Sequence, residues 1–444
     1  MSALVAILGS GPSGFYAAEA LLDAGHRVDL YERLPVPFGL VRHGVAPDHP
    51  KLKSVTRLFE GIAARPGLRF LGNVTVGRDL PLDQLRWQYD AVILAIGAEE
   101  GQPLGIPGDD LPGSHTARDF VGWYNGHPDH RDLQVDLSQD RALVVGQGNV
   151  ALDVARILLQ PVDALRGTDI ADHALEQLAE SRLREVLVIG RRGPAQARFT
   201  AKELREFGSL PGVNVTIPED SLTLGPACTE ELAAPTAALT RSMFATFPAI
   251  RDTAPGAARS CRFLFNRQPL ALEGPGRLRA AVLGRTRLEG PPGAQRAVAI
   301  EEKEVLPCGL VVGCIGYRVR PLPGLATEDT AIPNLSGRVS MPAPGIAGLY
   351  VTGWAKRGAS GTIGTNRGDS LATVSVLLAD LPGHLPVRHL PEAPAGSVGF
   401  DQWRALDLAE QAAGRAVGRP RRKATRVADM LAGMAVPHHE SVPT

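Results

Sequence analysis

Short apolar runs that end in glycine and lead into helical patterns recur along the chain. The first run, "ALVAIL" at residues 3–8, is apolar at every position, which is typical of a parallel strand buried on both faces. It ends at Gly9, and "FYAAEALLDAG" after it has the period of an amphipathic helix that Gly25 terminates. A second strand, "RVDLYE", then ends at Glu32. The pattern predicts a strand, a glycine turn, a helix and a second strand.

A second segment repeats this pattern further along the chain. The run "RALVVG" ends at Gly146, and "VALDVARILL" follows with a helical period. Residues 160–184 are predicted to insert helical material before the next strand, "REVLVIGRR". That strand ends at Arg191 and Arg192, where the first segment has a carboxylate.

Both turns have the glycine spacing of a dinucleotide site: Gly9-x-Gly11-x-x-Gly14 in the first and Gly146-x-Gly148-x-x-Ala151 in the second. Such a turn places a pyrophosphate on the helix N-terminus. Glu32 suits a ribose hydroxyl, whereas Arg191 and Arg192 suit a 2′-phosphate, so the second nucleotide is expected to be NADP(H). The alternatives are a turn that serves chain geometry alone and two solvated arginines at a strand end.

Two further apolar strands that end in small residues and glycine indicate how the domains are connected. They are "QYDAVILAIGAEEG" at residues 88–101 and "CGLVVGCIGYRVRP" at residues 308–321. We therefore expect an α/β protein of two nested Rossmann-like domains in three layers: residues 1–98 and 319–444 form one, and residues 99–318 form the inserted domain. Residues 221–260 are expected to be loops and a peripheral helix. The tail from about residue 385 is expected to hold one late helix, "ATRVADMLAGM".

Composition narrows the classes of function. The chain has 444 residues, of which 44% are apolar, and is long enough for two or three domains. Lys and Arg together number 47, as do Asp and Glu, so net charge does not favour nucleic acid or an anionic membrane as a partner. We find no signal-peptide pattern and no apolar stretch of about 18 residues, and we expect a cytoplasmic protein without membrane insertion.

The four cysteines are Cys228, Cys261, Cys308 and Cys314, and no two of them form a C-x-x-C pair. This spacing argues against a structural zinc, an iron–sulfur cluster or a redox-active disulfide in the chain, and no metal site is predicted. Cys308 and Cys314 flank "GLVVG" and are interpreted as core residues of a strand.

Several longer stretches resemble the adrenodoxin reductase-type ferredoxin–NADP reductases, which contain FAD and have a glutathione-reductase-like fold. The resemblance rests on "GSGPSGFYAAEAL", "YERLPVPFGLVRHGVAPDHPKLK" (31–53), "GQGNVALDVAR", "RRGPAQARFTAKELRE" (191–206) and "VTGWAKRGASGTIGTNRGDS" (351–370). It is collinear over nearly the whole chain. The resemblance implies that hydride passes from NADPH to FAD and that single electrons then pass to a ferredoxin, which could supply a cytochrome P450.

The resemblance also implies which residues bind the two cofactors. For FAD they are the turn residues Gly9, Gly11, Ser13 and Gly14, together with Glu32, Leu40, Val76, Trp354, Gly361, Thr362 and Ile363. For NADP(H) they are Gln147, Gly148, Asn149, Val150, Arg191, Arg192 and Glu203, with Gly361 under the nicotinamide.

His49 and Glu206 are the candidate catalytic residues, for flavin protonation or nicotinamide orientation. His43 stands where we expect an aromatic residue. Candidate contacts for an acidic ferredoxin are Arg198, Arg205, Arg241 and the basic segment 418–426, although solvated charge explains each of them equally well.

Four other functions share parts of these patterns. A flavin disulfide reductase would need a cysteine pair, and the small subunit of glutamate synthase would need additional cluster-binding cysteines. A flavoprotein hydroxylase would typically lack the second turn with paired arginines. A non-enzymatic FAD- and NADP-binding redox sensor remains the alternative from a different class. By family resemblance, a monomer is expected.

Overall fold

The structure is a computed structural model and describes residues 2–320, 322–328, 330–339, 347–382 and 388–435. Pro321 of the second predicted linking strand and residues 383–387 and 436–444 of the predicted tail lie outside the described residues. The strands in chain order are β1 Leu4–Leu8, β2 Arg27–Tyr31, β3 Leu68–Leu71, β4 Ala91–Leu94, β5 Glu100–Gly101, β6 Ser114–Thr116, β7 Arg141–Val145, β8 Glu185–Gly190, β9 Val213–Thr216, β10 Arg259–Phe265, β11 Arg267–Glu273, β12 Ala280–Glu289, β13 Arg296–Pro307, β14 Leu310–Gly313, β15 Tyr317–Arg318, β16 Asn334–Leu335, β17 Arg338–Val339 and β18 Gly348–Val351.

The α-helices connect these strands. In chain order they are α1 Pro12–Asp23, α2 Leu40–His43, α3 Pro50–Lys53, α4 Thr56–Ala63, α5 Leu82–Gln88, α6 Ala117–Asn125, α7 Asn149–Leu159, α8 Val162–Arg166, α9 Asp172–Ala179, α10 Ala201–Gly208, α11 Pro226–Ala233, α12 Ala238–Phe244, α13 Thr246–Ile250, α14 Trp354–Arg357, α15 Ile363–Asp380, α16 Phe400–Arg415 and α17 Val427–Met434.

The chain forms two compact units. Unit 1 consists of residues 1–100, 125–128 and 317–444, and unit 2 of residues 101–124 and 129–316. Unit 2 is thus inserted in the sequence of unit 1. The domain boundaries predicted from the sequence were 1–98, 99–318 and 319–444, and the short return of residues 125–128 to unit 1 was not predicted.

Unit 1 is built on a seven-stranded sheet with the order β16-β17-β18-β4-β1-β2-β3. The five strands from β18 to β3 are parallel, and β16 and β17 extend the edge in antiparallel fashion. Alternate residues of β1 enter two different cores: Val5 and Ile7 pack with α1, and Leu4, Ala6 and Leu8 pack on the other face. Burial on both faces explains why the run is apolar throughout.

Unit 2 repeats this plan with a parallel six-stranded sheet in the order β6-β14-β7-β8-β10-β9. Here β7 divides its side chains in the same way, with Ala142 and Val144 in one core and Leu143 and Val145 in the other. The predicted helical insertion at residues 160–184 is present as α8 and α9.

Three parts of the structure were not predicted from the sequence. Strands β11, β12 and β13 form an antiparallel sheet in unit 2. Residues 221–260 contain α11, α12 and α13 rather than loops and one helix. The tail contains α16, whose buried side is a narrow stripe of Trp403, Leu406, Glu410 and Gly414. Because Glu410 in that stripe is charged, the apolar period of the helix is not apparent in the sequence.

Among the described residues, no helix has both the length and the apolar character needed to cross a bilayer.

Candidate functional site

The first glycine turn, at the carboxyl end of β1, contains glycines of two kinds. Gly9 has φ of +104°, and a Cβ there would lie 2.5 Å from the Ala95 carbonyl oxygen. A Cβ on Gly14 would overlap the Gly9 carbonyl oxygen. Gly11, the N-cap of α1, has an ordinary φ of −79°, and a Cβ there would meet no atom within 4 Å. The packing of the chain therefore requires glycine at positions 9 and 14. At position 11 it does not, and the missing side chain leaves the N-terminus of α1 accessible to a ligand.

Glu32 follows β2 at the same edge of the sheet. Its Oε2 accepts hydrogen bonds from the Ser10 amide at 3.0 Å and the Ser10 hydroxyl at 2.7 Å, and Oε1 accepts one from the Leu34 amide at 3.1 Å. Burial raises the pKa of the Glu32 carboxyl, and the hydrogen bonds offset only part of the rise. A carboxylate has about four acceptor positions, so Glu32 is oriented by the turn and keeps capacity for a ligand hydroxyl.

Leu40 and Val76 lie on segments tied to this turn. Leu40 begins α2 just after Phe38, whose amide donates to the Ser10 carbonyl at 3.0 Å and whose φ is +83°. Val76 follows Val74, whose amide donates to the Glu32 carbonyl at 2.9 Å. The segment before Leu40 is therefore held to the turn, and the segment before Val76 is held to Glu32.

Trp354, Gly361, Thr362 and Ile363 lie on the segment that joins β18 to α15. The Trp354 indole donates to the Ser360 carbonyl at 3.0 Å, and its ring packs on Tyr317 with centroids 5.6 Å apart. Thr362 is the N-cap of the 18-residue α15; its amide donates to Thr365 Oγ1 at 3.1 Å, and the Thr365 amide donates to the Thr362 carbonyl at 3.2 Å. The start of a long helix is thus held in place, with its first amides directed outward.

Sequence reasoning missed two residues of this segment: Asp369 holds its two ends together, and Ser370 attaches it to the first turn. The Asp369 carboxylate accepts from the Gly353 amide at 2.6 Å and lies 2.8 Å from Lys356 Nζ. The Ser370 hydroxyl donates to the Ser13 carbonyl at 3.0 Å, and a Cβ on Gly353 would overlap Ser13 Oγ. Both residues lie in the "GDS" that ends the diagnostic stretch 351–370, which was the available signal.

The second turn, in unit 2, repeats the division between its glycines. Gly146 has φ of +146°, and a Cβ there would overlap the Cys314 carbonyl oxygen. Gly148 is the N-cap of α7 with φ of −127°, and a Cβ there would meet no atom within 4 Å. Ala151 carries a fully buried methyl where the first turn has Gly14. Again the second glycine, unlike the first, is not required by the chain's own packing.

The segment after β8 lies against this turn. The Arg198 amide donates to the Gln147 carbonyl at 2.7 Å, and the Gln147 side chain donates to the Arg192 carbonyl at 3.3 Å. The Asn149 side chain accepts from the Thr200 amide at 2.9 Å. Val150, half-buried, packs on the core of the unit. Gln147 and Asn149 therefore connect the turn to the segment that carries the arginines.

Arg191 and Arg192 are held through their backbones, which leaves their guanidinium groups available. The Thr286 hydroxyl donates to the Arg191 carbonyl at 2.7 Å, and the Asn266 amide donates to the Arg192 carbonyl at 3.2 Å. Arg191 is exposed and Arg192 is half-buried. Burial lowers the pKa of Arg192, and the positive charges of Arg198 and Arg191 lower it further. Such a cluster of like charges is suited to a multivalent anion.

The two predicted acidic residues of α10 have different surroundings. The Glu203 carboxylate lies 3.8 Å from Arg156 Nη1, and Arg156 also donates to Asp153 at 2.7 Å. Glu206 is exposed and lies 3.6 Å from Lys202 Nζ. His49, the other candidate catalytic residue, is the half-buried N-cap of α3 in unit 1.

Comparison with known proteins identifies the family. Residues 3–208 match the model described as pyridine nucleotide-disulphide oxidoreductase. The chain is 44% identical to NADPH-ferredoxin reductase FprA of Mycobacterium leprae, covering 96% of this chain and 97% of the relative. It is also 44% identical to the mitochondrial NADPH:adrenodoxin oxidoreductase of Bos taurus, covering 96% and 91%. The solved structure of Mycobacterium tuberculosis FprA in complex with NADPH superimposes with a TM-score of 0.90 at 42% identity, covering 98% and 100%.

The chain belongs to the adrenodoxin reductase-type ferredoxin–NADP reductases. The predicted family, the α/β fold class of two Rossmann-like domains and the assignment to flavoprotein oxidoreductases are thereby confirmed.

Membership of this family fits the state of the cysteines. All four are free, and three of them, Cys228, Cys261 and Cys308, are buried. Burial raises the pKa of the Cys308 thiol to about 11 and that of Cys314 still further. These thiols stay protonated at neutral pH, which is the opposite of what a disulfide reductase needs.

The structure also places the basic residues considered for docking. Arg241 donates to the carbonyls of Leu232 and Ala234, both at 2.7 Å, and so caps the end of α11. Arg205 is exposed on α10. Within the basic segment 418–426, Arg419 and Lys423 are buried in unit 1, so this segment is not the continuous solvated cluster that its sequence suggested.

Proposed function

We propose that this protein is an NADPH:ferredoxin oxidoreductase that binds FAD in unit 1 and NADP(H) in unit 2. The observation that carries the proposal is the difference between two otherwise equivalent turns. Each has a second glycine that the chain's own packing does not require, but the neighbouring strand ends in Glu32 in one unit and in Arg191 and Arg192 in the other. A carboxylate suits a ribose diol, and paired guanidinium groups suit a 2′-phosphate.

The residues of unit 1 fit an FAD. A Cβ on Gly11 would fill the space beside the N-terminus of α1 through which a pyrophosphate approaches. The oriented Glu32 carboxylate suits the ribose, and the amides at the start of α15 suit negative charge on a flavin. The residues that we assign to FAD are Gly9, Gly11, Ser13, Gly14, Glu32, Leu40, Val76, Trp354, Gly361, Thr362 and Ile363.

The residues of unit 2 fit an NADP(H). A Cβ on Gly148 would fill the same space at α7, and the arginines after β8 supply positive charge for a 2′-phosphate. Gln147 and Asn149 connect the turn to the segment that carries the arginines, through hydrogen bonds to the Arg192 carbonyl and the Thr200 amide. The residues that we assign to NADP(H) are Gln147, Gly148, Asn149, Val150, Arg191, Arg192 and Glu203.

A bound FAD would supply hydride acceptance from NADPH and one-electron release, which a one-electron iron–sulfur acceptor requires. The chain's residues contribute by binding and orienting the two cofactors. The start of α15 is held in place because the Thr362 amide donates to the Thr365 hydroxyl and the Thr365 amide donates to the Thr362 carbonyl. His49 and Glu206 remain our candidates for moving a proton or orienting the nicotinamide, with His49 acting through a ring nitrogen.

The electron acceptor is a ferredoxin in this proposal, because the sequence has no cysteine pair of its own for a cluster. We further propose that the protein works as a monomer in the cytoplasm, a reducing compartment in which its free buried thiols are stable. Size-exclusion chromatography and cell fractionation test these two points.

The test is anaerobic reduction of the purified protein. We expect a bound flavin that NADPH bleaches far faster than NADH and that passes electrons to an added ferredoxin and cytochrome c. Replacing both Arg191 and Arg192 by Ala should remove the preference for NADPH. Arg184→Ala is the matched control, because Arg184 is an exposed arginine at the opposite end of β8. A bound flavin that neither nicotinamide reduces would contradict the proposal and favour the redox sensor.

A further inference from the structure

Arg198 lies on an extended segment against the second glycine turn. Its amide donates to the Gln147 carbonyl at 2.7 Å, and residue 198 forms a parallel bridge with Gly148. The adjacent residues Ala197 and Phe199 are buried, at 8% and 4% exposure. In an extended segment, neighbouring side chains point to opposite sides, so the exposed Arg198 side chain points away from the core.

The charge of Arg198 acts on the arginines after β8. After burial, Arg198 has the largest effect on the pKa of Arg192, ahead of Arg191. Among the described residues, no carboxylate oxygen lies within 4.0 Å of the side-chain nitrogens of these three arginines. The Arg198 amide and the Arg192 carbonyl both hydrogen-bond to Gln147, so Arg191, Arg192 and Arg198 form one cationic group beside the turn, which we call the arginine triad.

The mutual repulsion of this triad favours the binding of an anion, because the Glu231 charge opposes only part of it at Arg192. Like charges held close together repel, and half-burial of Arg192 reduces the screening by water. A phosphate monoester carries up to two negative charges and three acceptor oxygens, enough for three guanidinium donors. The pyrophosphate has other donors, because the amides at the start of α7 serve it.

We propose that Arg198 is a third specificity-determining residue for NADP(H), which binds the 2′-phosphate together with Arg191 and Arg192. This inference rests on the proposed function and deepens it. It assigns Arg198 to the nucleotide rather than to a protein partner. The segment that begins at Arg198 therefore has two roles: it positions the turn through its backbone and recognises the phosphate through its side chain.

The test is calorimetric titration of the flavin-containing protein with two probes, 2′,5′-ADP and 5′-ADP. Arg198→Ala should weaken binding of 2′,5′-ADP about tenfold, which corresponds to the loss of one charge-assisted contact. It should leave the weaker binding of 5′-ADP unchanged. Arg198→Lys keeps the charge but not the planar fork, and should recover part of the affinity.

Arg205→Ala is the matched control, because Arg205 is an exposed arginine seven positions further along in the same unit. It should not change the binding of either probe. In steady-state assays, Arg198→Ala should raise KM for NADPH while leaving kcat and the parameters for NADH unchanged.

Two outcomes would overturn the inference. Equal weakening of both probes would assign Arg198 to the pyrophosphate, and unchanged affinities with slower ferredoxin reduction would assign it to partner docking. The binding measurement needs no turnover. A protein that binds 2′,5′-ADP through Arg198 but is not reduced by NADPH would therefore contradict the proposed function and leave this inference intact.

Discussion

Arg42 and Glu410, which are 368 positions apart in the sequence, form a two-point ion pair inside unit 1, at 3.0 and 2.6 Å. Their side chains are 4% and 3% exposed. Glu410 also accepts from Arg421 at 3.2 Å and from the Ala424 amide at 2.9 Å. The pair therefore attaches the C-terminal basic segment to α2, the helix that follows Phe38 and Gly39.

Removing one partner of this pair should destabilise the protein strongly. Glu410→Ala leaves the Arg42 charge buried without its main counter-charge, and we expect the free energy of unfolding to fall by about 3–5 kcal/mol. Urea unfolding followed by tryptophan fluorescence measures this, since Trp403 lies 5.1 Å from the Arg42 guanidinium. Asp401→Asn, on the same helix but 99% exposed, is the control and should leave the midpoint unchanged. Equal midpoints for both variants would contradict the assigned role of the pair.

The same carboxylate should make the protein less stable in acid. Burial by itself raises the pKa of Glu410, but the Arg42 charge and the hydrogen bonds outweigh it and the pKa is lowered from its usual 4.5. A lowered pKa in the folded state stabilises the fold at pH values above 4.5, and this stabilisation is lost as pH falls through the lower folded value. Unfolding midpoints across this window should fall less steeply for Glu410→Gln than for the natural chain. Parallel curves would show that other groups cause the acid sensitivity.

Substitutions of Gly9 and Gly11 in the first turn should have different effects, the first on stability and the second on FAD binding. Gly9→Ala forces a Cβ to 2.5 Å from the Ala95 carbonyl oxygen at a φ of +104°, and should lower the free energy of unfolding by about 1–3 kcal/mol. Gly11→Ala fits the chain but obstructs a pyrophosphate, so the apoprotein should unfold normally and bind FAD about ten- to hundredfold more weakly. Flavin titration and urea unfolding of both apoproteins distinguish the two effects. Tight FAD binding by Gly11→Ala would argue against the assigned site.

The equivalent change in unit 2 should act on the other nucleotide alone. Gly148→Ala places a methyl where no atom of the chain lies within 4 Å, and should weaken NADP⁺ binding about ten- to hundredfold with the flavin retained. Gly146→Ala provides the contrast, since its Cβ would overlap the Cys314 carbonyl oxygen and the damage should appear in stability. Loss of flavin from Gly148→Ala would contradict the assignment of the two nucleotides to separate units.

The buried part of the C-terminal basic segment should support the fold rather than a partner. Lys423 Nζ donates to the carbonyls of Arg42 at 3.3 Å and Asn125 at 3.2 Å. Lys423→Met keeps the volume but removes these donors, and should lower the free energy of unfolding by about 1–3 kcal/mol. The salt dependence of ferredoxin reduction should not change. Arg415→Ala, which removes an exposed charge nearby, is the control for stability; a salt dependence altered by Lys423→Met would restore the docking interpretation.

Both glycine turns and the elements around them were predictable, because the information is local. Apolar runs such as residues 3–8 result from burial on both faces of a parallel sheet. Gly9 and Gly146 occupy backbone conformations that other residues adopt only with strain. The family resemblance rested on similarly compact stretches. Helix α16 was missed because the buried residue at the centre of its stripe is a carboxylate, whose partner is distant in the sequence.

Some side chains acquired a role only in the folded chain. In the sequence, nothing distinguishes the basic residues Arg198, Arg205 and Arg241 from one another. The structure places Arg198 beside the second glycine turn, Arg205 on the exposed face of α10, and Arg241 against carbonyls at the end of α11. Ser370 attaches α15 to the first turn through a bond that reaches back to Ser13, and Asp369 holds α15 to the segment after β18 through the Gly353 amide.

The sequence by itself determined the strand and helix pattern, the two turns and the sign of the charge that follows each second strand, because these depend on residues near one another in the chain. The tertiary structure decided which charges are buried and paired. Arg42 lies 368 positions from Glu410 and 381 positions from Lys423, and the free energy of burying an ion depends on the counter-charge that folding brings to it.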